Sequence, residues 1–436
     1  AMPGAGKPAA FRPQIETVRM DYGGGIETQV GPGSIAVPGT LAAIELAWQR
    51  YGKVPWRTIF EPTIAAARDG FPLSTACHHY LQYSGSTIFA NSDDGFAALH
   101  DNGVLRVAGS LIVVPGLADS LSLIAEAGAK EFYDGEIAER INAHVNARNG
   151  LLSQDDLRNY RAVVRKPLRT TLCQWDIASN PPPAVGGAVL SALVRGFATI
   201  PVRDWDRDML GELVRLQHTV LSWRRQHLDL SDDVERDVTR LLSLVDEGML
   251  MPPGSSTSTV HTSAVDDSGL AFAMTASSGY GSGEMPDGTG LWLNNCVGEL
   301  ELNRRGLDAG PPGTRLPSNM CPLVARRDNR VLAAGSPGAD RITTALHQFL
   351  VNFMQRDLSL DDAIAHPRLH VDLSSDVHRV AFEPGIDVPD IELPTLPHSA
   401  PSMYFGGVAA ALYERSGEFQ AAADPRREGG TCIDGT

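Results

Sequence analysis

The strongest constraint on the fold is a change of residue pattern at about residue 259. Two runs that alternate apolar and polar residues, TVHTSAVD and GLAFAMTAS, flank the turn residues Asp267-Ser268-Gly269. Alternation with a period of two is typical of a strand with one buried face, and Asp-Ser-Gly suits a tight turn. The sequence therefore predicts an antiparallel hairpin that begins with Thr259.

The segments on either side of residue 259 indicate the fold class. Before it the chain is mainly amphipathic and helical, as in PGTLAAIELAWQRYG, and SQDD at Ser153 to Asp156 matches a helix capping box. After it hairpins dominate, and CPLVARRDNRVLAAG predicts a second one that turns at Asp328-Asn329. Helices gathered in one part and hairpins in another are typical of an α+β fold, so we expect antiparallel sheets covered by helices in a layered sandwich.

Composition and charge narrow the classes of function. The chain is 43% hydrophobic and 20% charged, as in a globular protein with a sizeable core, and its net charge of −15 argues against nucleic-acid or anionic-membrane partners. Five scattered cysteines without a CxxC pair argue against a disulfide scaffold or a zinc site. No apolar run approaches the roughly 20 residues of a membrane helix. The start lacks a signal-peptide pattern, which predicts a cytoplasmic protein, or a periplasmic or secreted one if an N-terminal segment is missing.

The position of Thr259 suggests nucleophilic catalysis. This residue follows the loose polar segment MPPGSSTS and leads a strand with a buried face. A hydroxyl is a weak nucleophile until a base takes its proton. The residue's own α-amine, with a pKa of about 7.7 to 8.0, can be that base, but only after the preceding peptide bond is cut. This layout is expected of a self-processing N-terminal-nucleophile hydrolase, although hydroxyl-rich loops before strands are also common elsewhere.

A second segment, AAGSPGADRITTAL, offers groups that can stabilise an oxyanion. An apolar strand ends near Gly335, and a helix begins at about Asp340. Between them, Gly338 and Ala339 can present adjacent backbone N–H groups where the helix dipole also favours negative charge. A plain strand-to-helix turn with Asp340 as the N-cap fits the segment equally well.

Several segments, taken in order, resemble motifs of the γ-glutamyltranspeptidase (glutathione hydrolase) family. They read TVHTSAVDDSG, GYGSG, LWLNN, RLPSNMCP and GSPGADRITT, where the family has T-T-H-x-S-V-V-D, F-G-[ST]-G, L-N-N-x-M-D-D-F, R-P-x-S-S-M-x-P and G-S-P-G-G-x-R-I. The resemblance covers nearly the whole chain from about residue 31 onward. It implies the αββα sandwich of N-terminal-nucleophile hydrolases, in which a mainly helical large segment (1–258) and a small segment (259–436) interleave in one domain.

The resemblance also implies an activity and its catalytic residues. The enzyme would cleave γ-glutamyl amides such as glutathione through an acyl-threonine intermediate, with water or an amine as acceptor and no cofactor or metal. Thr259, two places before the motif residue His261, takes the role of nucleophile. Self-cleavage then falls between Ser258 and Thr259, with Thr257 and Ser258 as the alternative nucleophiles. Ser277 corresponds to a hydroxyl that hydrogen-bonds the nucleophile, while His261 is expected to be a packed strand residue.

The remaining roles concern the oxyanion and the substrate's α-carboxylate. Gly338 and Ala339 match the family's oxyanion Gly pair, and alanine is tolerable there because the donor is backbone. Ser318 and Asn319 match the Ser-Ser pair that binds the α-carboxylate, and asparagine keeps a donor at the second position.

Departures from the family pattern put the substrate in question. Asn295 matches the second Asn of the L-N-N motif. A structural role for this residue is at least as well supported as a substrate-binding role. The acidic group that binds the α-ammonium is either Glu299 or absent. The family's carboxylate-binding Arg and its Gly-rich N-terminal run have no clear counterpart in this sequence.

Two alternative functions therefore stay open: an acylase for a glutaryl or β-lactam side chain, and an unprocessed, non-catalytic homologue. The oligomeric state is also left open.

Overall fold

The chain folds into two compact units. A computed structural model describes residues 1–8, 10–21, 25–247, 259–300, 302–373 and 377–434. The first unit comprises Ala1–Val164 and Ser278–Leu316, and the second comprises Arg165–Ser277 and Pro317–Thr436. Each unit thus takes residues from both sides of the predicted cleavage point between residues 258 and 259. Residue 258 itself lies outside the described residues.

The first unit is mainly helical. Its helices are α1 (Thr40–Tyr51), α2 (Trp56–Asp69), α3 (Thr75–Ser84), α4 (Asp93–Leu99), α5 (Leu117–Ala127), α6 (Lys130–Asp134), α7 (Glu136–Ala147) and α8 (Gln154–Asn159). Its strands are β1 (Glu16–Met20), β2 (Ile26–Val30), β3 (Phe71–Pro72), β4 (His100–Asp101), β5 (Val104–Leu105) and β6 (Leu111–Ile112). They form three antiparallel pairs, β1 with β2, β3 with β6 and β4 with β5.

Local sequence accounts for two of these helices in detail. Helix α7 buries Ile137, Ile141 and Val145, which recur every four residues and so lie along one face of the helix. Helix α8 begins with the predicted capping box, which is confirmed: Ser153 accepts a hydrogen bond from the Asp156 amide, and the Asp156 carboxylate accepts one from the Ser153 amide.

The second unit contains the remaining elements. Its helices are α9 (Gly186–Phe197), α10 (Arg207–Trp223), α11 (Val234–Asp246), α12 (Arg341–Leu350) and α13 (Leu360–Ala365). Helices α10 and α12 each run on into a π-helical turn, Arg224–Leu228 and Val351–Gln355 respectively. Its strands are β7 (Leu168–Leu172), β8 (Trp175–Ser179), β9 (Val260–Val265), β10 (Ala271–Ala276), β11 (Leu323–Arg327), β12 (Arg330–Gly335), β13 (Leu369–Asp372), β14 (Arg379–Phe382), β15 (Thr395–Pro397), β16 (Ala409–Glu414) and β17 (Glu418–Ala423).

A six-stranded antiparallel sheet organises the second unit. Its strand order is β17-β16-β12-β11-β8-β7, and β13, β14 and β15 form a separate three-stranded sheet. The large sheet shares one hydrophobic core with α9 and α12, in which Trp175 and Leu332 pack with Leu190 and Phe349. The hairpin of β9 and β10 packs on β12 and β16. The predicted α+β class, with antiparallel sheets covered by helices, is confirmed.

Both predicted hairpins are present. In the first, β9 pairs with β10 in a register that joins Val260 to Ala276 and Val265 to Ala271. Its turn is held by the carboxylate of Asp266, which accepts the amides of residues 268 and 270 at 3.0 and 2.9 Å. In the second, β11 pairs with β12, and Asp328 takes a left-handed conformation (φ 51°) at the turn.

Within the described part of the chain, every helix is too short or too polar to cross a lipid bilayer. The compartment in which the protein works stays a prediction.

Candidate active site

The predicted nucleophile stands at the head of the hairpin. Thr259 directly precedes β9 and is half-buried. Ala276, the last residue of β10, pairs with Val260, so the register continued by one residue sets Ser277 opposite Thr259. Side chains directly opposite each other in antiparallel strands have Cβ atoms about 4.5–5.5 Å apart. The register thus brings these two hydroxyl residues together, and the hydrogen bond between them stays a prediction.

His261 is a half-buried, neutral packing residue. Its Nε2 lies 2.8 Å from the Ser263 hydroxyl, which in turn donates to the Ala409 carbonyl at 3.2 Å. The proton therefore sits on Nε2, and Nδ1 accepts from the Thr275 hydroxyl at 2.8 Å. Burial lowers the pKa of His261 to about 4. These contacts agree with the expectation that His261 is neither the acid nor the base.

The His261 ring also positions the hairpin on the large sheet. It lies against Gly335, the last residue of β12, where a Cβ atom would come within 2.2 Å of the ring. Successive odd-numbered residues of β9 share one face, so the side chain of Thr259 belongs to the face that carries His261. The head of β9 is therefore on the side of the hairpin that meets the end of β12.

Beyond the end of β12, the backbone turns through the predicted oxyanion residues. Gly338 has φ 129° and Ala339 has φ 67°, and both residues are buried. Their carbonyls accept the amides of residues 341 and 342 at 3.0 and 3.2 Å. Among the hydrogen bonds formed between described residues, neither the Gly338 nor the Ala339 N–H donates. Buried N–H groups are nearly always paired, so two unengaged neighbours at a turn suit the binding of an oxyanion.

A second segment packs directly behind this turn. The Ser336 hydroxyl donates to the Pro337 carbonyl at 2.6 Å and accepts the Gly407 amide at 3.0 Å. A Cβ atom on Gly338 would come within 2.5 Å of the Gly406 Cα. The turn therefore requires glycine at residue 338 both for its φ angle and for this close backbone approach.

A buried network of ion pairs fixes the segment behind the turn. Arg368 contacts Asp424 at 2.7 Å, and Arg426 contacts Glu383 at 2.5 Å and Asp424 at 3.1 Å. Although burial by itself raises the pKa of Asp424, the two guanidinium groups bring it below its usual value. The Asp424 carboxylate also accepts the Val408 amide at 2.9 Å, which anchors the chain next to residues 406 and 407.

The predicted carboxylate-binding pair lies in the same unit. The Ser318 hydroxyl accepts the Met320 amide at 3.1 Å, and its carbonyl accepts the Val185 amide at 2.8 Å, at the start of α9. Asn319 is only 4% exposed, and its Nδ2 donates to Asp340 Oδ1 at 2.6 Å. The side-chain donor of Asn319 is thus engaged within the protein. Binding of a substrate carboxylate by this pair stays a prediction.

Asn295 and Glu299 lie in the first unit. Asn295 is fully buried, and its Oδ1 accepts the amides of residues 280 and 281 at 2.8 and 3.2 Å, while its Nδ2 donates to the Thr28 hydroxyl at 2.9 Å. These bonds support the structural role that the sequence left open. Glu299 is buried beside Gly279, where a Cβ atom would lie 3.1 Å from its Oε2. Binding of a substrate ammonium group by Glu299 stays a prediction.

No sequence motif indicated Arg224, a buried charged residue that contacts the start of α12. Arg224, in the π-helical turn after α10, donates to Asp229 at 2.8 Å and to Asp340 at 2.5 Å, and all three side chains are buried. As the N-cap of α12, Asp340 makes no side-chain capping bond, because its carboxylate contacts Arg224 and Asn319 instead. Arg224 and Asp340 are 116 positions apart, and no local pattern connects them.

A solved structure shares the fold of this chain. A cephalosporin acylase from Bacillus halodurans matches this fold with a TM-score of 0.75 at 21% sequence identity, over 92% of this chain and 79% of that one. At this sequence identity, the match is evidence for a shared fold only. The fold is that of the N-terminal-nucleophile hydrolases, as the sequence predicted.

Sequence comparisons identify the family. The profile of the family "Gamma-glutamyltranspeptidase" matches residues 8–243 and 207–433. The glutathione hydrolase proenzyme of Escherichia coli (strain K12) is 28% identical over 427 residues, which cover 89% of this chain and 73% of the relative. The capsule biosynthesis protein CapD proenzyme of Bacillus anthracis is 26% identical, over 91% of this chain and 75% of the relative. The chain belongs to the γ-glutamyltranspeptidase family, which confirms the predicted resemblance.

The chain is shorter than these relatives. It spans 63% of glutathione hydrolase proenzyme 1 of Schizosaccharomyces pombe, with 26% identity over 396 residues. The matches thus cover 63–75% of the length of these three relatives.

Proposed function

We propose that this chain is a self-processing amidohydrolase that cleaves γ-glutamyl amides through an acyl ester on Thr259. The observation that carries the proposal is the contact of His261 with Gly335. That contact joins the strand that Thr259 leads to the strand that runs into the Gly338–Ala339 turn. The unengaged N–H groups of this turn are the second support.

Maturation would begin at the peptide bond between residues 258 and 259. The Thr259 hydroxyl attacks the Ser258 carbonyl, and the acyl group shifts from the Thr259 nitrogen to its oxygen. Water then hydrolyses the ester, which frees the Ser258 carboxylate and the Thr259 amine. The products are segments 1–258 and 259–436.

The liberated amine would serve as the base in catalysis. It takes the proton of the Thr259 hydroxyl as the oxygen attacks the substrate amide carbonyl. The Gly338 and Ala339 N–H groups would stabilise the oxyanion, a contribution worth about 3–4 kcal/mol per donor in other hydrolases. The C–N bond then breaks and the leaving amine takes the proton, after which water or another amine accepts the acyl group.

Mutation of the nucleophile tests the proposal. We expect the wild-type protein to yield two fragments and to hydrolyse γ-glutamyl-p-nitroanilide. Thr259→Ala should remain one chain of 46.7 kDa and release no nitroaniline. Thr257→Ala and Ser258→Ala are the matched controls, since they remove the neighbouring hydroxyls and should still yield an active enzyme. Fragmentation of Thr259→Ala, or hydrolysis by it, would refute the proposal. If instead only one of the control variants loses both fragmentation and hydrolysis, the nucleophile is the residue changed in that control.

A second candidate function is supported by the engagement of Asn319. Because the Asn319 side-chain donor is bound to Asp340, this residue binds a substrate α-carboxylate more weakly than the motif alone predicts. This favours an acylase for an amide whose acyl group carries no α-carboxylate, such as a β-lactam side chain. Comparing kcat/KM for γ-glutamyl and 4-aminobutyryl anilides decides between the two, since the two acyl groups differ only by the α-carboxylate. A preference for 4-aminobutyryl would select the acylase.

A further inference from the structure

Four buried residues of the second unit form a cluster that the proposed mechanism does not use. Asp340 Oδ1 accepts two hydrogen bonds, from Arg224 Nη1 at 2.5 Å and from Asn319 Nδ2 at 2.6 Å. Arg224 also donates from Nε to Asp229 at 2.8 Å. Arg224 and Asp340 are each 2% exposed. Three separate parts of the chain therefore converge on one carboxylate oxygen: the turn after α10, the loop before β11 and the start of α12.

The cluster is poorly arranged for stability alone. It holds two carboxylates against one guanidinium group, and burial raises the pKa of Asp229 despite the neighbouring Arg224. Four of its polar atoms have no hydrogen-bond partner among the described residues, namely Arg224 Nη2, Asp229 Oδ2, Asp340 Oδ2 and Asn319 Oδ1. Unsatisfied buried polar groups and unbalanced buried charge oppose folding. A role in positioning a neighbouring segment accounts for such an arrangement.

Asp340 is well placed for that role. It directly follows Ala339, whose φ of 67° is unfavourable for a residue with a side chain and has to be maintained by its surroundings. On the other side, Gly338 already packs against Gly406. Movement of Asp340 would therefore rotate the peptide groups of the turn, whose N–H directions decide whether they meet an oxyanion.

We propose that the Arg224–Asp340–Asn319 bridge positions the Gly338–Ala339 turn, and that Asn319 acts through Asp340 and not as a ligand of the substrate carboxylate. This inference rests on the proposed function, since the turn matters for catalysis only if it binds the oxyanion. Asn319, Asp340 and Arg224 are then positioning residues.

The two roles of Asn319 predict different kinetics. A carboxylate ligand would contribute to binding. Asn319→Ser restores the hydroxyl that the family motif has at this position, so it would alter only KM for γ-glutamyl-p-nitroanilide and leave butyryl-p-nitroanilide, which lacks the carboxylate, unaffected. A positioning residue would contribute to the transition state for every acyl group. Asn319→Ser and Asp340→Asn should then each lower kcat about tenfold to a hundredfold on both substrates, with little change in KM.

Coupling and rescue sharpen the test. Because Asn319 acts through its hydrogen bond to Asp340 Oδ1, the double variant Asn319→Ser/Asp340→Asn should lose little more than either single variant. Arg224→Lys keeps a cationic donor and should retain more of the wild-type kcat than Arg224→Met. Asp156→Asn, which removes a buried carboxylate of the first unit, is the control and should leave kcat unchanged.

A measurement that does not need activity separates this inference from the proposed function. Hydrogen exchange at the amides of residues 338–341 should be faster in Asp340→Asn and Asn319→Ser than in the wild type, and unchanged in Asp156→Asn. If the wild type hydrolyses neither anilide, the proposed function fails, and faster exchange still supports the bridge. Unchanged exchange, additive losses of kcat, or a KM effect confined to the carboxylate-bearing substrate would overturn the inference.

Discussion

The imidazole of His261 lies so close to Gly335 that a Cβ atom on residue 335 would be 2.2 Å from its Cε1 atom. This contact joins two segments that are 74 positions apart in sequence (335 minus 261). It places the hairpin of β9 and β10 on the end of β12, and it depends on the absence of a side chain at residue 335. A change as small as one methyl group therefore tests the arrangement of the proposed site.

Gly335→Ala should displace the His261 ring and destabilise the protein. Overpacking of this kind costs about 1–3 kcal/mol. Denaturant unfolding measures the loss of free energy, and anilide hydrolysis should fall with it because the hairpin moves. Gly430→Ala is the control, since no described atom lies within 4 Å of its added Cβ. Equal stability of the two variants would contradict the contact.

Ala339→Gly should stabilise the protein. Residue 339 has φ 67°, a conformation that costs an L-residue about 1–2 kcal/mol and glycine almost nothing. We expect the unfolding free energy to rise by about 1 kcal/mol and hydrolysis to persist, since the oxyanion donor is backbone. Ala345→Gly, inside α12, should instead lose stability. A loss in both variants would rule out strain at residue 339.

Stability should decrease as the pH falls below about 6.5. Burial lowers the pKa of His261 and His370 to about 4 and that of His347 to about 3, so the unfolded chain binds protons that the folded protein does not. Their contribution is full above the unfolded pKa and is lost progressively as the pH falls towards the folded values. Each group adds a slope of up to about 1.4 kcal/mol per pH unit.

His347→Leu isolates one of these groups. Both ring nitrogens of His347 are buried without a hydrogen-bond partner among the described residues, which costs about 1–3 kcal/mol. The variant should therefore be more stable at pH 7, and its unfolding free energy should depend less steeply on pH between 6.5 and 4. The exposed His79→Leu serves as the control. An unchanged pH slope in His347→Leu would show that the pKa of His347 is the same in the folded and unfolded states.

Asn295→Ala should destabilise the first unit. The variant leaves the buried amides of residues 280 and 281 without their acceptor, and each unsatisfied group costs about 1–3 kcal/mol. We expect a loss of about 3 kcal/mol by denaturant unfolding. Asn91→Ala, which removes an exposed side chain, should change stability little. A higher KM without loss of stability would instead support the substrate-binding role.

Local sequence was sufficient for the elements that carry the proposed site. The hairpin at residue 259 follows from the alternation of apolar and polar residues and from the turn residues Asp267-Ser268-Gly269. In the structure, the carboxylate of the preceding Asp266 bonds the turn's own amides. The capping box of α8 likewise involves residues only three positions apart. Such features depend on backbone dihedral preferences and short-range hydrogen bonds, which are determined by residues that are neighbours in sequence. The local pattern also indicated the candidates Thr259 and Gly338, and the motifs added the family.

Only the tertiary structure decided the partners of these candidates. The local pattern of Asp340 predicts a helix N-cap, yet its carboxylate contacts Arg224 and Asn319, which are 116 and 21 positions away. Likewise, nothing near His261 indicates that its ring will lie on Gly335. Buried polar groups bond to whatever the packing of helices and sheets brings within reach, because they have lost water and an unpaired group is costly. The packing of the folded core therefore determines the partners of these groups, and the sequence pattern alone does not reveal them.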